Sequence, residues 1–384
     1  MDKLFFTDEH IMIRDMVREF ADTEITPVAR DLDEQGEFPT ALVNKMGELG
    51  LMGILIPEEY GGSGLDMVAF ATAIIELARA DASVAITMAA HTSLGSLPIL
   101  MFGSDEQKNT YLPKLATGEM LGAFGLTEPD AGSDAGATKT KAVRDGDEYV
   151  VNGGKIFITN AGKAGVLSFT SQVIENGKNL GIAAFSISTN TPGLEIGPKE
   201  KKMGWRASDT RQLFFKDMRI QATSILGTPA NGFKTFLKTL TSGRVSIGAL
   251  SIGTALGAYE RALAYSTERI AFGKPINNFQ SVGFKLADMA TKIEASKLLV
   301  FHAAWMKDQG LDITKEAAMA KLFASETAME VTTEAIQIHG GYGYVKEHDV
   351  ERFFRDAKIL EIGEGTSEIQ RLIISREILK EFQI

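Results

Sequence analysis

The run Lys139-Thr140-Lys141-Ala142-Val143-Arg144-Asp145-Gly146-Asp147-Glu148-Tyr149-Val150-Val151-Asn152-Gly153-Gly154-Lys155-Ile156-Phe157-Ile158-Thr159 decides the fold. β-Branched and aromatic residues alternate with polar ones. Asp145-Gly146 reads as a tight turn between strands 139–144 and 147–151, and Asn152-Gly153-Gly154 as a second turn before 155–159. Further strand patterns follow at 166–172, 181–187 and 212–220. No helix-length pattern separates them, so the expectation is an antiparallel, barrel-like β module at 121–230 rather than alternating βαβ units.

On both sides of this module the apolar spacing is helical. Ile13, Met16, Val17 and Phe20 repeat on one face, and Val43, Met46, Leu49 and Leu51 run into a break at Pro57-Glu58-Glu59-Tyr60-Gly61-Gly62-Ser63-Gly64. Ser104 with Gln107 three residues on is a capping-box pattern. Beyond Asn231-Gly232, Val282, Leu286, Met289 and Ile293 share a face, Gly340-Gly341 stops a helix, and a last helix begins after Gly365-Thr366. The fold class expected is α+β in three parts: an all-α unit (1–120), the β unit (121–230) and a C-terminal helical unit (231–384).

The 384 residues are 44% hydrophobic and 23% charged, which excludes a disordered chain, since enough apolar surface exists to form a core. There is no Cys, hence no disulfide, zinc-thiolate, iron–sulfur cluster or thiol nucleophile. The five His lack metal-ligand spacing, and no metal site is expected. A net charge of −10 opposes a nucleic-acid partner. Residues 82–104 carry no formal charge, yet Ser83, Thr87, His91, Thr92, Ser93, Ser96 and Pro98 interrupt them, so a buried helix is expected rather than a membrane span. The first nine residues lack a basic stretch followed by an apolar one, so the expected location is cytoplasmic.

No G-x-G-x-x-G, phosphate-binding GK[ST] loop or G-x-S-x-G elbow occurs. Three glycine-punctuated clusters remain. Phe124 to Gly136 is a polar loop whose hydroxyls and N–H groups suit a polar ligand, or an ordinary crossover. Arg269 to Gln280 sets a cation before Gly273-Lys274-Pro275, where it could meet a phosphate or neutralise its own helix end. In Gly363-Glu364-Gly365-Thr366, the carboxylate between two glycines could act as a base or be a solvated acid near a helix N-terminus.

Together these clusters resemble the acyl-CoA dehydrogenases. The resemblance runs from Pro57-Glu58-Glu59-Tyr60-Gly61-Gly62 through Gly125-Leu126-Thr127-Glu128-Pro129, Gly153-Gly154-Lys155-Ile156-Phe157-Ile158-Thr159-Asn160 and Arg269 to Pro275. It continues through Gln337-Ile338-His339-Gly340-Gly341-Tyr342-Gly343 and Arg355-Asp356-Ala357 to Glu364-Gly365-Thr366. It implies FAD as cofactor, a homotetramer built as a dimer of dimers, and a C-terminal four-helix bundle. It also implies acyl-CoA as substrate and an electron-transferring flavoprotein as partner. By the same resemblance Phe124, Leu126, Thr127, Ser133, Phe157, Ile158 and Thr159 would hold the flavin. Arg269, Phe272, Gln280, Gln337, Gly340 and Gly341 would meet its pyrophosphate and adenosine end across a subunit contact, and Thr366 and Glu368 would complete the site. Ser133, Arg244 and Gly365 would contact the acyl-CoA.

Glu364 would then take the α-proton of the thioester while the β-hydrogen leaves as hydride. The backbone N–H of Glu364 would help to stabilise the enolate oxygen. The alternative base position of the family falls on Gly243, which leaves Glu364 alone. Two departures stand out: Phe157 where many relatives have Trp, and Gly363 in place of the usual Tyr. The second implies a roomier acyl pocket for short, branched or cyclic groups. The arginine that would fit glutaryl-CoA is absent from 82–88. A flavin monooxygenase or oxidase on the same fold, and a flavin-free acyl-CoA-binding protein, are the alternatives.

Overall fold

The computed structural model describes residues 2–229 and 232–382. The boundary expected at residues 230 and 231 lies outside them. The N-terminal third is helical: α1 (Asp2–Phe5), α2 (Asp8–Phe20), α3 (Ala29–Gln35), α4 (Thr40–Glu48), α5 (Met67–Ala80), α6 (Ala82–Ala90), α7 (Leu97–Phe102) and α8 (Asp105–Ala116). Ile13, Val17 and Phe20 are buried on α2. The capping box opens α8: the Gln107 N–H donates to Ser104 Oγ at 3.2 Å, and Ser104 N–H to Gln107 Oε1 at 2.8 Å. The stretch Ala82–Phe102 is long and apolar enough to cross a membrane, and 83% of its most apolar window is buried within the chain. Between α6 and α7, residues His91–Ser96 form a π-helical turn, a feature frequent beside functional sites.

The middle third is one sheet: β1 (Leu121–Gly125), β2 (Lys141–Asp145), β3 (Glu148–Thr159), β4 (Ala164–Glu175), β5 (Lys178–Ser188), β6 (Leu194–Lys199), β7 (Thr210–Gln221) and β8 (Ile225–Leu226). Its ladder runs β6-β7-β3-β2-β4-β5-β8, with β1 also on β4. All pairings are antiparallel except those of β1 and β2 with β4, which run parallel because long crossovers join them. The turn expected at Asn152-Gly153-Gly154 is absent: β3 runs through it, with a register shift against β7. Gly153 is there for a close approach. A Cβ on it would lie 2.6 Å from Thr140 Oγ1 and 2.7 Å from its Cα.

The last third holds α9 (Gly232–Glu268), a β9–β10 hairpin (Ile270–Ala271, Lys274–Pro275), α10 (Gln280–Asp308), α11 (Thr314–His339), α12 (Val350–Ala357) and α13 (Ser367–Phe382). Helix α9 packs on α5, α10 and α11, so one hydrophobic core joins the N-terminal and C-terminal helices. A second core fills the sheet.

Candidate active site

Glu364 and Gly365 stand between the one-turn helix Lys358–Glu361 and α13, both in left-handed backbone conformation, at φ 53° and 95°. For a glutamate that geometry is unfavourable and needs external support. Two donors give it. Gln370 Nε2 donates to the Gly365 carbonyl at 2.8 Å and the Glu364 carbonyl at 3.3 Å, and Lys321 Nζ donates to the Gly365 carbonyl at 2.8 Å. A side chain on Gly365 would be strained at φ 95°, and its Cβ, 2.7 Å from Gln370 Nε2, would push that amide away.

The Glu364 side chain reaches across to α9. Its Oε2 is buried without a hydrogen-bond partner and occupies the place a Cβ on Gly243 would take. Leu94, from the π-helical turn, borders the same spot. Burial pushes the carboxyl up to about 7, against the pull of Lys321 and Arg244. An unbonded carboxylate that ionises near neutrality is what proton abstraction requires. Arg244 is buried, its Nη1 donates to Thr241 Oγ1 at 3.5 Å, and its Nε is left without a partner.

Gly243→Ala isolates this geometry. Alanine favours a helix over glycine by about 1 kcal/mol, so the fold stands. The new methyl must displace the flexible carboxylate. The expected result is a loss of about 100-fold in the rate of any reaction that uses this carboxylate as its base, with unchanged thermal stability. A wild-type rate in rapid-mixing experiments would show that the carboxylate works from elsewhere.

The sheet presents the second part of the site. Phe124 of β1 stacks on Phe236 of α9, with centroids 4.1 Å apart, and Leu126 packs beside them. The Ile156 N–H donates to the Thr127 carbonyl at 2.9 Å and straps this loop to β3. Phe157 is 63% exposed and left-handed at φ 59°, whereas Ile158 is buried and Thr159 half-buried. Beneath the loop, Lys155 and Glu128 form a buried ion pair of 2.6 Å. Ser133 lies on an exposed segment. Thr366 Oγ1 accepts from the Ile369 N–H at 3.4 Å. Glu368 is exposed, its carboxyl held below the usual range by its own backbone N–H and the Thr366 hydroxyl.

The remaining expected residues are elsewhere. Arg269, Gly340 and Gly341 line a separate cavity of about 510 Å³ with Tyr265, His339 and Tyr342. Gln280 and Gln337 are exposed, and Phe272 is 95% exposed at the tip of the β9–β10 hairpin. Arg269 follows Gly243 by 26 residues along and just past α9, about 39 Å at 1.5 Å per residue. A single chain does not gather both groups. Lys321 and Gln370, in contrast, escaped the sequence reading. The only hint was a charge following Ala317-Ala318-Met319-Ala320 on an otherwise apolar helix face.

Comparison with known proteins gives three consecutive family matches: the acyl-CoA dehydrogenase N-terminal domain over residues 7–119, the middle domain over 123–218 and the C-terminal domain over 230–379. The chain is 54% identical over 376 residues to the probable acyl-CoA dehydrogenase YngJ of Bacillus subtilis, covering 97% of this chain and 99% of that one. The chain belongs to the acyl-CoA dehydrogenase family. Butyryl-CoA dehydrogenase from Megasphaera elsdenii superimposes with a TM-score of 0.94 at 42% identity, covering 97% of this chain and 98% of that chain. A structure described as the electron transferring flavoprotein of Acidaminococcus fermentans superimposes with a TM-score of 0.95 at 45% identity, covering 97% and 98%.

This acyl-CoA dehydrogenase is an FAD-dependent oxidoreductase, and its own residues fit that cofactor. The Phe157 ring is open to solvent, turned out of its strand by a left-handed φ, and offers a flat apolar face. Ser242 Oγ and Ser367 Oγ are buried polar atoms without partners, close in sequence to Gly243 and Glu364. Such atoms are costly unless a ligand satisfies them.

Proposed function

We propose that this acyl-CoA dehydrogenase converts short, branched or cyclic acyl-CoA thioesters to the trans-2-enoyl-CoA, with Glu364 as the base. The observation that carries the reading is the Glu364 carboxyl, its Oε2 buried and without a partner and its pKa raised to about 7, opposite a glycine that leaves it room. Glu364 takes the α-proton, and its backbone N–H polarises the thioester carbonyl so that the enolate is reachable. Arg244 holds the substrate together with Ser133 and Gly365, and the desolvation that substrate brings raises the base further. Bound FAD supplies the acceptor for the β-hydrogen, which leaves as hydride. Phe124, Leu126, Thr127, Phe157, Ile158 and Thr159, with Ser133, Thr366 and Glu368, hold its flavin end.

Arg269, Phe272, Gln280, Gln337, Gly340 and Gly341 then serve the cofactor of a neighbouring subunit. The distance along α9 supports this, as does an aromatic ring left 95% exposed on a hairpin. The resemblance to the family makes that assembly a homotetramer, a dimer of dimers, with units 1–120, 121–230 and 231–384 in each copy. The same reading implies an electron-transferring flavoprotein as electron acceptor and a cytoplasmic enzyme.

Anaerobic titration of the yellow enzyme with straight, branched and cyclic acyl-CoAs tests this function. Bleaching by one of them is the expected outcome. Flavin that no acyl-CoA reduces would overturn it in favour of oxygen chemistry. Pocket size has its own test. At Gly363 a Cβ would meet only the Ile359 carbonyl, at 3.4 Å, so a larger residue is tolerated there. Gly363→Tyr is expected to shift preference toward butyryl-CoA by about 10-fold over branched substrates, the scale of one or two methylenes in a pocket. An unchanged ratio of kcat/KM values would sink the pocket argument.

A further inference from the structure

We propose that Lys321 is a positioning residue for the catalytic base: from α11 it clamps the left-handed Glu364–Gly365 turn together with Gln370 of α13. The proposal rests on Glu364 being that base. Lys321 is fully buried, and its Nζ donates to the Gly365 carbonyl at 2.8 Å. Gln370 Nε2 meets the same carbonyl at 2.8 Å and that of Glu364 at 3.3 Å. Two helices thus hold two successive carbonyls of a turn that would relax if released, carrying the carboxylate and the N–H of Glu364 with it.

A neutral donor would suffice for the hydrogen bond alone. Burying an ammonium against a carbonyl is costly without a compensating anion. Among the described residues no carboxylate forms an ion pair with Lys321 Nζ, and burial pulls its ammonium down to about 8. Its main counter-charge is the Glu364 carboxylate, followed by Glu361 from the preceding turn and Glu326 of α11. Arg244 of α9 works in the same sense as Lys321 on Glu364. On α13, Glu368 also feels Lys321 and Arg371, and Arg371 is paired with Glu326 at 2.6 Å. Lys321 therefore acts on the base twice: through the backbone it fixes the turn, and through its charge it favours the ionised carboxylate.

The two actions separate in the FAD-loaded enzyme. Three variants, Lys321→Met, Lys321→Gln and Lys321→Arg, are compared by rapid mixing with saturating acyl-CoA across pH. The carboxyl stretch of Glu364 is followed by infrared spectroscopy over the same range and identified by its loss in Glu364→Gln. Lys321→Met should lower the limiting rate about 100-fold and leave the half-saturating concentration within about 2-fold. The Glu364 titration should move up by about one pH unit. Lys321→Gln should show the same shift with a smaller rate loss, because it keeps a donor, and Lys321→Arg should restore both. An unmoved infrared titration in Lys321→Gln, or equal losses in the Met and Arg variants, would overturn the proposal. Should Lys321→Met fail to retain flavin, the Gln and Arg variants decide. Wild-type flavin reduction by Glu364→Gln would instead overturn the base assignment, while the infrared shift would still report on the clamp.

Discussion

Glu364→Gln should retain its flavin and lose about 10²–10⁴-fold in the rate of flavin reduction by acyl-CoA, the usual worth of a positioned base. Glutamine fills the same volume, and the left-handed turn, held by Lys321 and Gln370 through backbone carbonyls, does not depend on the carboxylate. The proton acceptor is lost, and with it the main counter-charge of Lys321. With Glu364 as the base the ionised form is the active one, so kcat/KM should fall tenfold per pH unit below about 7, where burial has placed the group in the free enzyme. The stability effect has the opposite sense. A carboxyl raised from 4.5 to about 7 on folding contributes stability below 4.5 and loses it as pH rises through 7. Glutamine cannot ionise, so above pH 7 the variant should melt at a higher temperature than wild type. A variant that bleaches at the wild-type rate would remove Glu364 from the chemistry, and one that melts lower at pH 8 would contradict its burial as an unbonded acid.

How much of this could be read in the chain depends on how local the cause is. The helices of both flanks were legible because burial on one face imposes its period directly, as with Leu286, Met289 and Ile293 on α10. The Ser104–Gln107 cap and the hairpin turn, which falls one residue later than expected at Gly146-Asp147, are also settled within a few residues. Gly153 misled because a glycine needed for close approach to Thr140 looks, in sequence, like one needed for a turn. Strand β1 went unread, and its last two residues, Phe124 and Gly125, passed for the start of a polar loop. Its partner β4 is some 40 residues away, and Gly122 is small because it crosses Gly95 of the π-helical turn. Its flanking glycines marked Glu364 out as either a base or a solvated acid, and the family resemblance chose the first, whereas its supports left no mark in the sequence. Lys321 approaches from 43 residues upstream, and nothing in an Ala-rich helix announces that its amine will end on the Gly365 carbonyl.

The second large effect is expected at Glu128, under the loop proposed to hold the flavin. Its carboxylate is 4% exposed and faces a fully buried Lys155 at 2.6 Å. It also accepts from the Thr138 hydroxyl, from the Lys139 N–H at 2.6 Å and from the Thr140 N–H at 3.3 Å. Burial alone would push this acid up, but Lys155 and the three further donors outweigh it and hold it at about 2. Lys155 gains less. Its enclosure costs more hydration than the pairing returns, and its ammonium is drawn down to about 8. Glu128→Ala leaves that ammonium with only the Leu126 carbonyl and the Thr138 and Thr170 hydroxyls, at 3.1–3.2 Å. The backbone donors of residues 139 and 140 lose their acceptor as well. The expected cost is about 3–5 kcal/mol, the penalty for breaking a buried pair from one side, read as a lower urea midpoint. Because the Thr127 carbonyl and Leu126 ride on this loop, flavin content should fall with it. Lys155→Met added to Glu128→Ala should restore part of the loss, since the unpaired charge is removed. The pH dependence follows from the depressed value. The contribution of Glu128 is complete above about 4.5 and disappears as pH falls toward 2, so wild type and Glu128→Ala should differ at pH 7 and converge near pH 2. A variant as stable as wild type at pH 7, or a double variant no better than the single one, would mean that Lys155 finds its compensation elsewhere.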